Sequence, residues 1–480
     1  MRYFALISLF VATQAYSASF LVEPEQFADP GGWKTDTQFI ESMGSPYLNA
    51  HGLGKPVTDA TTEIDVPEDG EYRVWVRTID WTKRLGRPES AGRFKVSLNG
   101  EPLSAELGSG DAEWTWQLAG KASLKTGKAK LALKDLTGFN GRADAVLFSS
   151  DADFTPPGDA TFEERTAWKI PGVPNAIADA GSYDLVVVGG GYGGLGSAIS
   201  AARMGAKVAL IQNRDVLGGN GSSEIRVWAK GSYAPSEYPL DEIIREIEDK
   251  AKASPSHAEE FVDDKKEKVV RAEDNITLFL GHHAYGLDMK DGKIASVKAV
   301  DIAGGKIKSI RGKYFADCTG HGFVALWSGA DTKSVKKGRM GMSNMWIWQN
   351  QSEEVEFPEQ GWMHKFTAAS FPYPRERHGI RHAEWFWESG YDSHPIKELE
   401  HTRDLNLLAS FSAWNAIKNH GAYAERDPDG HKKGEMTWLA YIGGTRETLQ
   451  ILGDVILTGD EISNKKKFDD GTFMTTWSID

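Results

Sequence analysis

From about Phe20 to Ser150, apolar and polar positions alternate in short runs. In "EYRVWVR", Tyr72, Val74 and Val76 alternate with Arg73, Trp75 and Arg77. In "RFKVSLNG", Phe94, Val96 and Leu98 alternate before Asn99-Gly100, a pair suited to a two-residue hairpin turn. "KAKLALK" repeats the pattern with Ala129, Leu131 and Leu133 on one face. Successive half-buried strands without a helical stretch predict an antiparallel β-sandwich over residues 19–154. Residues 155–182, rich in Pro, Gly and Ala without a period, predict a linker. The period then changes. "YDLVVVGGGYGGLGSAISAARMGAKVALI" reads as a strand (Leu185 to Val188), a glycine turn and a helix with Leu195, Ala198, Ile199 and Ala202 on one face. Gly205 stops the helix, and a second strand follows from Val208 to Ile211. This is a βαβ unit, and it opens a domain spanning 183–480. Within it, "PLDEIIREIEDKAKA" keeps Leu240, Ile243, Ile244 and Ile247 on one side, which predicts an amphipathic helix with solvated acids.

Composition narrows the classes. The first residues, "MRYFALISLFVATQAYSASF", carry one Arg, an apolar run from Tyr3 to Ala12 and small residues at Ala15, Ser17 and Ala18. They read as an export signal over residues 1–18, cleaved to leave a secreted or periplasmic chain with no membrane span. The alternative is an uncleaved anchor, but the run is shorter than the ~20 residues a spanning helix needs. The single cysteine, Cys318, allows no internal disulfide and no protein-ligated iron–sulfur cluster. A formal charge of −13 disfavours nucleic acid and anionic membrane as partners. Oligomeric state is left open.

Gly189, Gly191 and Gly194 stand in G-x-G-x-x-G spacing between a strand and a helix. The first permits a tight turn, the second close backbone approach to a diphosphate, and the third helix–strand packing. The helix N-terminus would then face the phosphates. A carboxylate commonly ends the second strand, where it accepts hydrogen bonds from the adenosine ribose. This chain has Gln212, which can still accept through its carbonyl oxygen at a loss of ~1 kcal/mol of charge assistance. FAD, having no 2′-phosphate to reject, tolerates that loss better than NAD does. "RDVLGGN", with Arg214 and Gly218-Gly219-Asn220, resembles the flavoprotein pattern in which this loop runs beside the diphosphate toward the flavin.

"GGGYGGLGSAISAARMGAKVALIQNRDVLGGNGSSEIRVW", "YFADCTGHGFVALWSGAD" and "GGTRETLQILGDVILTGDEI" together resemble the FAD-dependent oxidoreductases of exported bacterial proteins linked to polysaccharide breakdown, some labelled xanthan lyase. The resemblance covers about Ser182 to Asp480 and implies an α/β, Rossmann-like FAD-binding domain. It implies that Gly189, Gly191, Gly194, Gly218, Gly219 and Asn220 surround FAD, that Ala284 meets the adenine through its backbone, and that Thr319-Gly320 closes the nucleotide side. Many relatives have Asp where this chain has His321 and an acid where it has Gln212. The family also continues past "TWSID" with a glycine-containing segment, so a C-terminal truncation is expected. Gly453-Asp454 superficially resembles the late Gly-Asp that holds a ribityl chain, in a helical-looking context. The N-terminal region, from "LVEPEQFADPGGW" to "GFNGRADAVLFSSD", resembles the galactose-binding-like jelly rolls that serve as carbohydrate-binding modules. Trp33, Trp75, Trp81, Trp114 and Trp116 could stack on sugars or equally pack a core.

For chemistry beside the flavin, Glu224 and Arg226 in "SSEIRV" could supply a base and a clamp, or form a structural ion pair that pins the loop. His321 could titrate near neutrality or contact phosphate from a turn. Cys318 reads as a small buried filler. His282 and His283 adjoin in a strand and so point to opposite faces, and no metal-ligand spacing appears elsewhere. Trp385, Phe386 and Trp387, with Trp346, Trp348 and Trp362 upstream, could wall a sugar site or pack a core. The expected activity is oxidation of a carbohydrate or glycan-derived substrate by hydride transfer to FAD. The alternatives are redox-neutral glycan cleavage that uses the flavin transiently and a non-catalytic glycan-binding protein.

Overall fold

In the computed structural model, which describes residues 18–158, 177–229, 242–335, 337–367, 370, 388–422 and 431–469, the alternating segments form strands. Ser19–Val22, Ala145–Ser149, Gly70–Thr78 and Thr115–Leu124 make one four-stranded antiparallel sheet in that order. Ala60–Val66, Gly127–Asp135, Phe94–Leu98 and Glu101–Pro102 make a second. The predicted inward positions Tyr72, Val74, Val76, Phe94, Val96, Leu98, Ala129, Leu131 and Leu133 are all buried in one core between them. Asn99 and Gly100 take positive φ of 52° and 91°, which turns Leu98 back onto Glu101 as the pair predicted. Gly141–Ala143, Tyr47–Ala50 and Lys34–Asp36 form a small third sheet.

The βαβ unit lies in a six-stranded sheet ordered Ile276–Leu280, Val208–Gln212, Ala178–Val188, Ile307–Asp317, Lys293–Asp301, His282–Lys290. The first four strands are parallel, and the last two are antiparallel additions. On the helix Tyr192–Arg203, Leu195, Ala198, Ile199 and Ala202 are buried as the spacing predicts. The central strand begins at Ala178, inside the stretch read as a linker. Its polar start pairs with the long Ile307–Asp317 strand (Ala178 with Lys308, Ser182 with Arg311), and such backbone pairing leaves no hydrophobic trace. The amphipathic helix is observed over Glu242–Ile247, with Ile247 buried. Residues 1–17 of the expected export signal (1–18), most of the expected linker (159–176), Leu240, the Trp385–Phe386–Trp387 cluster and the "TWSID" end lie outside the described residues.

The two regions meet across a 21-residue helix, Leu399–Asn419. Trp81, Ala91 and Phe139 of the sandwich share one core with Trp346, Trp348, Trp362, Phe411 and Trp414. Phe139 sits edge-on to Trp362 and Phe411, 5.1 Å from each, and Trp81 lies 5.4 Å from Trp362. Burying one such side chain contributes ~1.5–3 kcal/mol, so this joint rivals a domain core in strength. Packing therefore claims Trp81, Trp346, Trp348 and Trp362. Trp33 is buried against Phe94 inside the sandwich, and Trp75 is buried with Arg73 over its ring. Trp114 donates to Glu400 across the joint at 3.0 Å, and half-exposed Trp116 donates to Pro157 O at 3.2 Å.

An ion network crosses the same joint. Arg403 reaches Asp36 (2.8 Å), Asp404 (2.9 Å) and the Tyr47 hydroxyl (2.9 Å). Arg142 binds Asp404 and Glu400, and Arg84 binds Glu400 at 2.8 Å. Burial alone would raise the Glu400 carboxyl, but the guanidiniums of Arg84, Arg142 and Arg403 outweigh it and hold the group far below the usual carboxylate range. Charges buried this deeply stabilise only when every one is partnered, so the network fixes a single docking geometry.

Candidate functional site

The site forms where the parallel strands end. Ala178–Val188 runs into Gly189, whose φ of +106° suits glycine, and a Cβ there would lie 2.1 Å from Cys318 O. A Cβ on Gly194 would lie 1.8 Å from Gly189 O, so this glycine lets the helix pack on the strand. Gly191 differs: its Cβ would meet nothing nearer than Gly219 Cα at 3.8 Å, and Gly193 faces open space. The helix Tyr192–Arg203 starts without a side-chain cap, so its first N–H groups face that opening.

Gln212 ends the second strand, buried, with its side chain turned to the protein. Its carbonyl oxygen accepts from Gly190 N (2.8 Å) and its amide donates to Val216 O (3.0 Å). It thus ties the glycine turn to the following loop. That loop returns at Gly218, which takes φ +116° and donates from its N–H to Gly190 O at 2.8 Å. Asn220 then donates to Thr445 O at 3.0 Å, and Asp263 accepts from Ser223 N.

These turns enclose a cavity of about 570 Å³. Its lining includes Gly189, Gly191, Gln212, Arg214, Gly218, Gly219, Asn220, Ala284, Thr319, Gly320 and His321, so the structure brings together nearly all the residues singled out from sequence. Gly194 lies behind the wall in its packing role. Sequence reasoning missed Thr37, Gln38 and Phe39 of the sandwich, together with Met342, Leu399, Ile442 and Gly443, which complete the lining. No local motif marks them, although Gly443 and Thr445 fall inside the quoted "GGTRETLQ".

Thr319 organises its turn: its hydroxyl donates to Asp317 Oδ1 (2.7 Å) and accepts from His321, Gly322 and Phe323 N–H groups. His321 stacks on Phe323, and Phe323 on Trp327, at centroid spacings of 5.3 and 5.5 Å. Its Nδ1 lies 3.2 Å from Thr319 O, a bond only an N–H can donate, so the neutral ring has Nε2 as its acceptor nitrogen. Cys318 is half-buried, and burial pushes its thiol up. His282 Nδ1 donates to Leu280 O at 2.7 Å, and burial pushes the ring below its usual range.

Glu224 and Arg226 do not pair with each other; the ion pair on this loop is Glu224 with Arg214. Glu224 pairs with Arg214 at 3.3 Å, while burial raises its carboxyl and Arg214 opposes that rise. Arg226, at φ +67°, turns away to donate to Ser223 O (2.9 Å) and lies 4.0 Å over the Trp438 ring. Neither side chain lines the cavity. Gly453-Asp454 is exposed and outside the cavity, in irregular chain between the strand Gln450–Ile451 and a helix that starts only at Gly459, where Thr458 supplies a capping box. Among the described residues no group of three or more His, Cys, Asp or Glu could hold a metal, and no helix is long and apolar enough to cross a membrane.

Residues 184–480 match the FAD dependent oxidoreductase family. A search of the curated proteins found no match. Among solved structures, L-proline dehydrogenase from P. horikoshii is 20% identical over 35% of this chain and 26% of its own length, with a TM-score of 0.20. A geranylgeranyl bacteriochlorophyll reductase-like protein from Thermoplasma acidophilum is 20% identical over 37% of this chain and 48% of its own, with a TM-score of 0.24. A family 35 carbohydrate binding module from Clostridium thermocellum is 17% identical over 27% of this chain and 97% of its own, with a TM-score of 0.22. The chain thus spans about a quarter of the dehydrogenase's length. Gly191 leaves a cradle open beneath an uncapped helix N-terminus, and the match over 184–480 makes this chain a member of the FAD dependent oxidoreductase family.

Proposed function

We propose that the chain is an exported FAD-dependent oxidoreductase that oxidises a hydroxyl group of a carbohydrate or glycan-derived substrate. The parallel sheet is read as a Rossmann-like nucleotide fold and the sandwich as a jelly roll. The observation that carries the reading is the open cradle at Gly191 and Gly193. Export and a carbohydrate substrate are supported by the signal-like leader and by the resemblance of the sandwich. Bound FAD supplies a two-electron acceptor for a substrate C–H bond.

The chain's own groups do the rest. The turn Gly189–Gly191 and the first N–H groups of the helix hold the diphosphate, and Gly218, Gly219 and Asn220 border the flavin side. Ala284 offers its backbone to the adenine, and Thr319-Gly320 closes the nucleotide side. Arg214, paired with Glu224, presents a positive charge to the cavity. His321 takes the hydroxyl proton at Nε2, since its Nδ1 is committed to Thr319 O and the ring lines the cavity. A second role for His321 is favoured by its turn lying against Gly189: the ring would then be a cation beside the diphosphate.

The test incubates the full chain with FAD, removes the excess, records the visible spectrum and adds oligosaccharides without oxygen. Retained flavin that a sugar bleaches supports the proposal, and retained flavin that no sugar bleaches removes the carbohydrate substrate. Product analysis without an electron acceptor separates net oxidation, which stops after one turnover, from redox-neutral cleavage, which continues. His321→Gln that keeps flavin but is not bleached identifies the proton acceptor. His321→Gln that loses flavin identifies the phosphate role.

A further inference from the structure

The cavity wall is not built by the 183–480 region alone. Thr37, Gln38 and Phe39, between the sandwich strand Lys34–Asp36 and the short helix Ile40–Met43, line the same space as the glycine turn. Thr37 and Phe39 are buried. Gln38 uses both ends of its amide across the joint: its oxygen accepts from Gly443 N (2.7 Å), and its nitrogen donates to Tyr441 O (3.1 Å) and to Asp36 Oδ1 (2.9 Å). Asp36 is in turn bound to Arg403, and Arg403 donates to Tyr441 O at 3.2 Å. One side chain therefore sets the distance between the sandwich segment and Ile442–Gly443, which also line the cavity.

We propose that the β-sandwich is a constitutive part of the FAD site, with Thr37–Gln38–Phe39 closing one wall and Gln38 as the positioning residue that holds it against Gly443. A detachable glycan-binding module would meet its neighbour over a polar, replaceable surface and would leave the neighbour's cavity intact. Here the joint is a shared aromatic core with a buried ion network, and the cavity loses a wall if the sandwich leaves. Because FAD would contact a cavity bounded by both regions, its binding and the closure of the joint are linked: each strengthens the other.

The test uses the full-length wild-type chain and hydrogen exchange with and without FAD, alongside FAD titration of Gln38→Ala. FAD is expected to slow exchange in 37–43 and 441–445 as well as in the glycine turn. Gln38→Ala is expected to weaken FAD by about tenfold or more, the equivalent of losing one to two hydrogen bonds, and to shift the bound flavin's visible circular dichroism. Lys121→Ala, at an exposed pair with Glu71 on the sandwich, should do neither. FAD binding that protects the glycine turn but leaves 37–43 unchanged overturns the proposal, whether or not Gln38→Ala folds. So does a folded Gln38→Ala with unaltered affinity and spectrum. A wild-type chain that binds no FAD overturns the cofactor assignment itself, and this proposal with it.

Discussion

Arg142 of the sandwich and Asp404 of the Leu399–Asn419 helix form a two-pronged ion pair with both side chains wholly withdrawn from water. Asp404 is shared by Arg142 and Arg403, so removing it leaves both guanidiniums buried with fewer partners, Glu400 and Asp36, which costs ~3–5 kcal/mol. Asp404→Ala should therefore lower stability by that order and split the unfolding curve into two steps, and adding Arg142→Met should recover only part of the loss, because Arg403 still lacks Asp404 and Glu400 then lacks Arg142. Urea denaturation followed by tryptophan fluorescence checks this, since Trp81 and Trp414 report from the joint.

Gly191 and Gly194 should fail differently. Gly191 has a backbone any residue adopts (φ −70°) and room for a methyl group. Gly191→Ala should keep apoprotein stability within about 0.5 kcal/mol while losing FAD, because the methyl takes the space of the diphosphate. Gly194→Ala, which drives its Cβ into Gly189 O, should cost ~1–3 kcal/mol in the apoprotein. Thermal melting without FAD, set beside FAD titration, separates the two.

Restoring an acid at the second strand's end should not help. Gln212→Glu keeps the acceptor for Gly190 N but places an oxygen against Val216 O, where an amide now donates at 3.0 Å. The variant should lose ~1–3 kcal/mol of stability and bind FAD no tighter than the parent. Tighter FAD binding would show that the side chain swings out to the ribose.

His51 makes the joint sensitive to acid. Its Nε2 donates to Leu439 O at 2.7 Å, and burial pushes its pKa from 6.5 down to about 4. The unfolded chain thus takes the proton first as pH falls. The neutral ring's contribution is complete above pH 6.5, shrinks between 6.5 and 4, and changes no further below that. The loss amounts to about 3 kcal/mol. Denaturation midpoints across pH 7 to 4 should follow this slope, and His51→Gln should flatten it.

The nucleotide-binding half was legible because its signals are local. Apolar runs, a glycine spacing and a helix stripe fall within thirty residues, and Leu195, Ala198, Ile199 and Ala202 went where their period placed them. The sandwich strands were legible for the same reason. What escaped was everything decided between distant segments. Trp81 cannot announce from sequence that its neighbour is Trp362, and Arg403, Asp404 and Glu400 look like the solvated face of a helix until Asp36, Arg84 and Arg142 arrive to pair them. Gln212 and Arg226 show a further limit: residue type was read correctly, but the direction of the side chain depended on a loop backbone that carries no periodic pattern.

Gln38 and Gly443, which clasp across the cavity, are 405 positions apart in the chain. A ribosome makes the second wall only 405 residues after the first. Until then the turn at Gly189 has no enclosure, and the nascent chain must close a very long loop before the pocket exists. If FAD occupies this cavity, loading waits for a chain synthesised at least as far as Thr445, and a product cut short before that point would carry the glycine turn without a chamber around it.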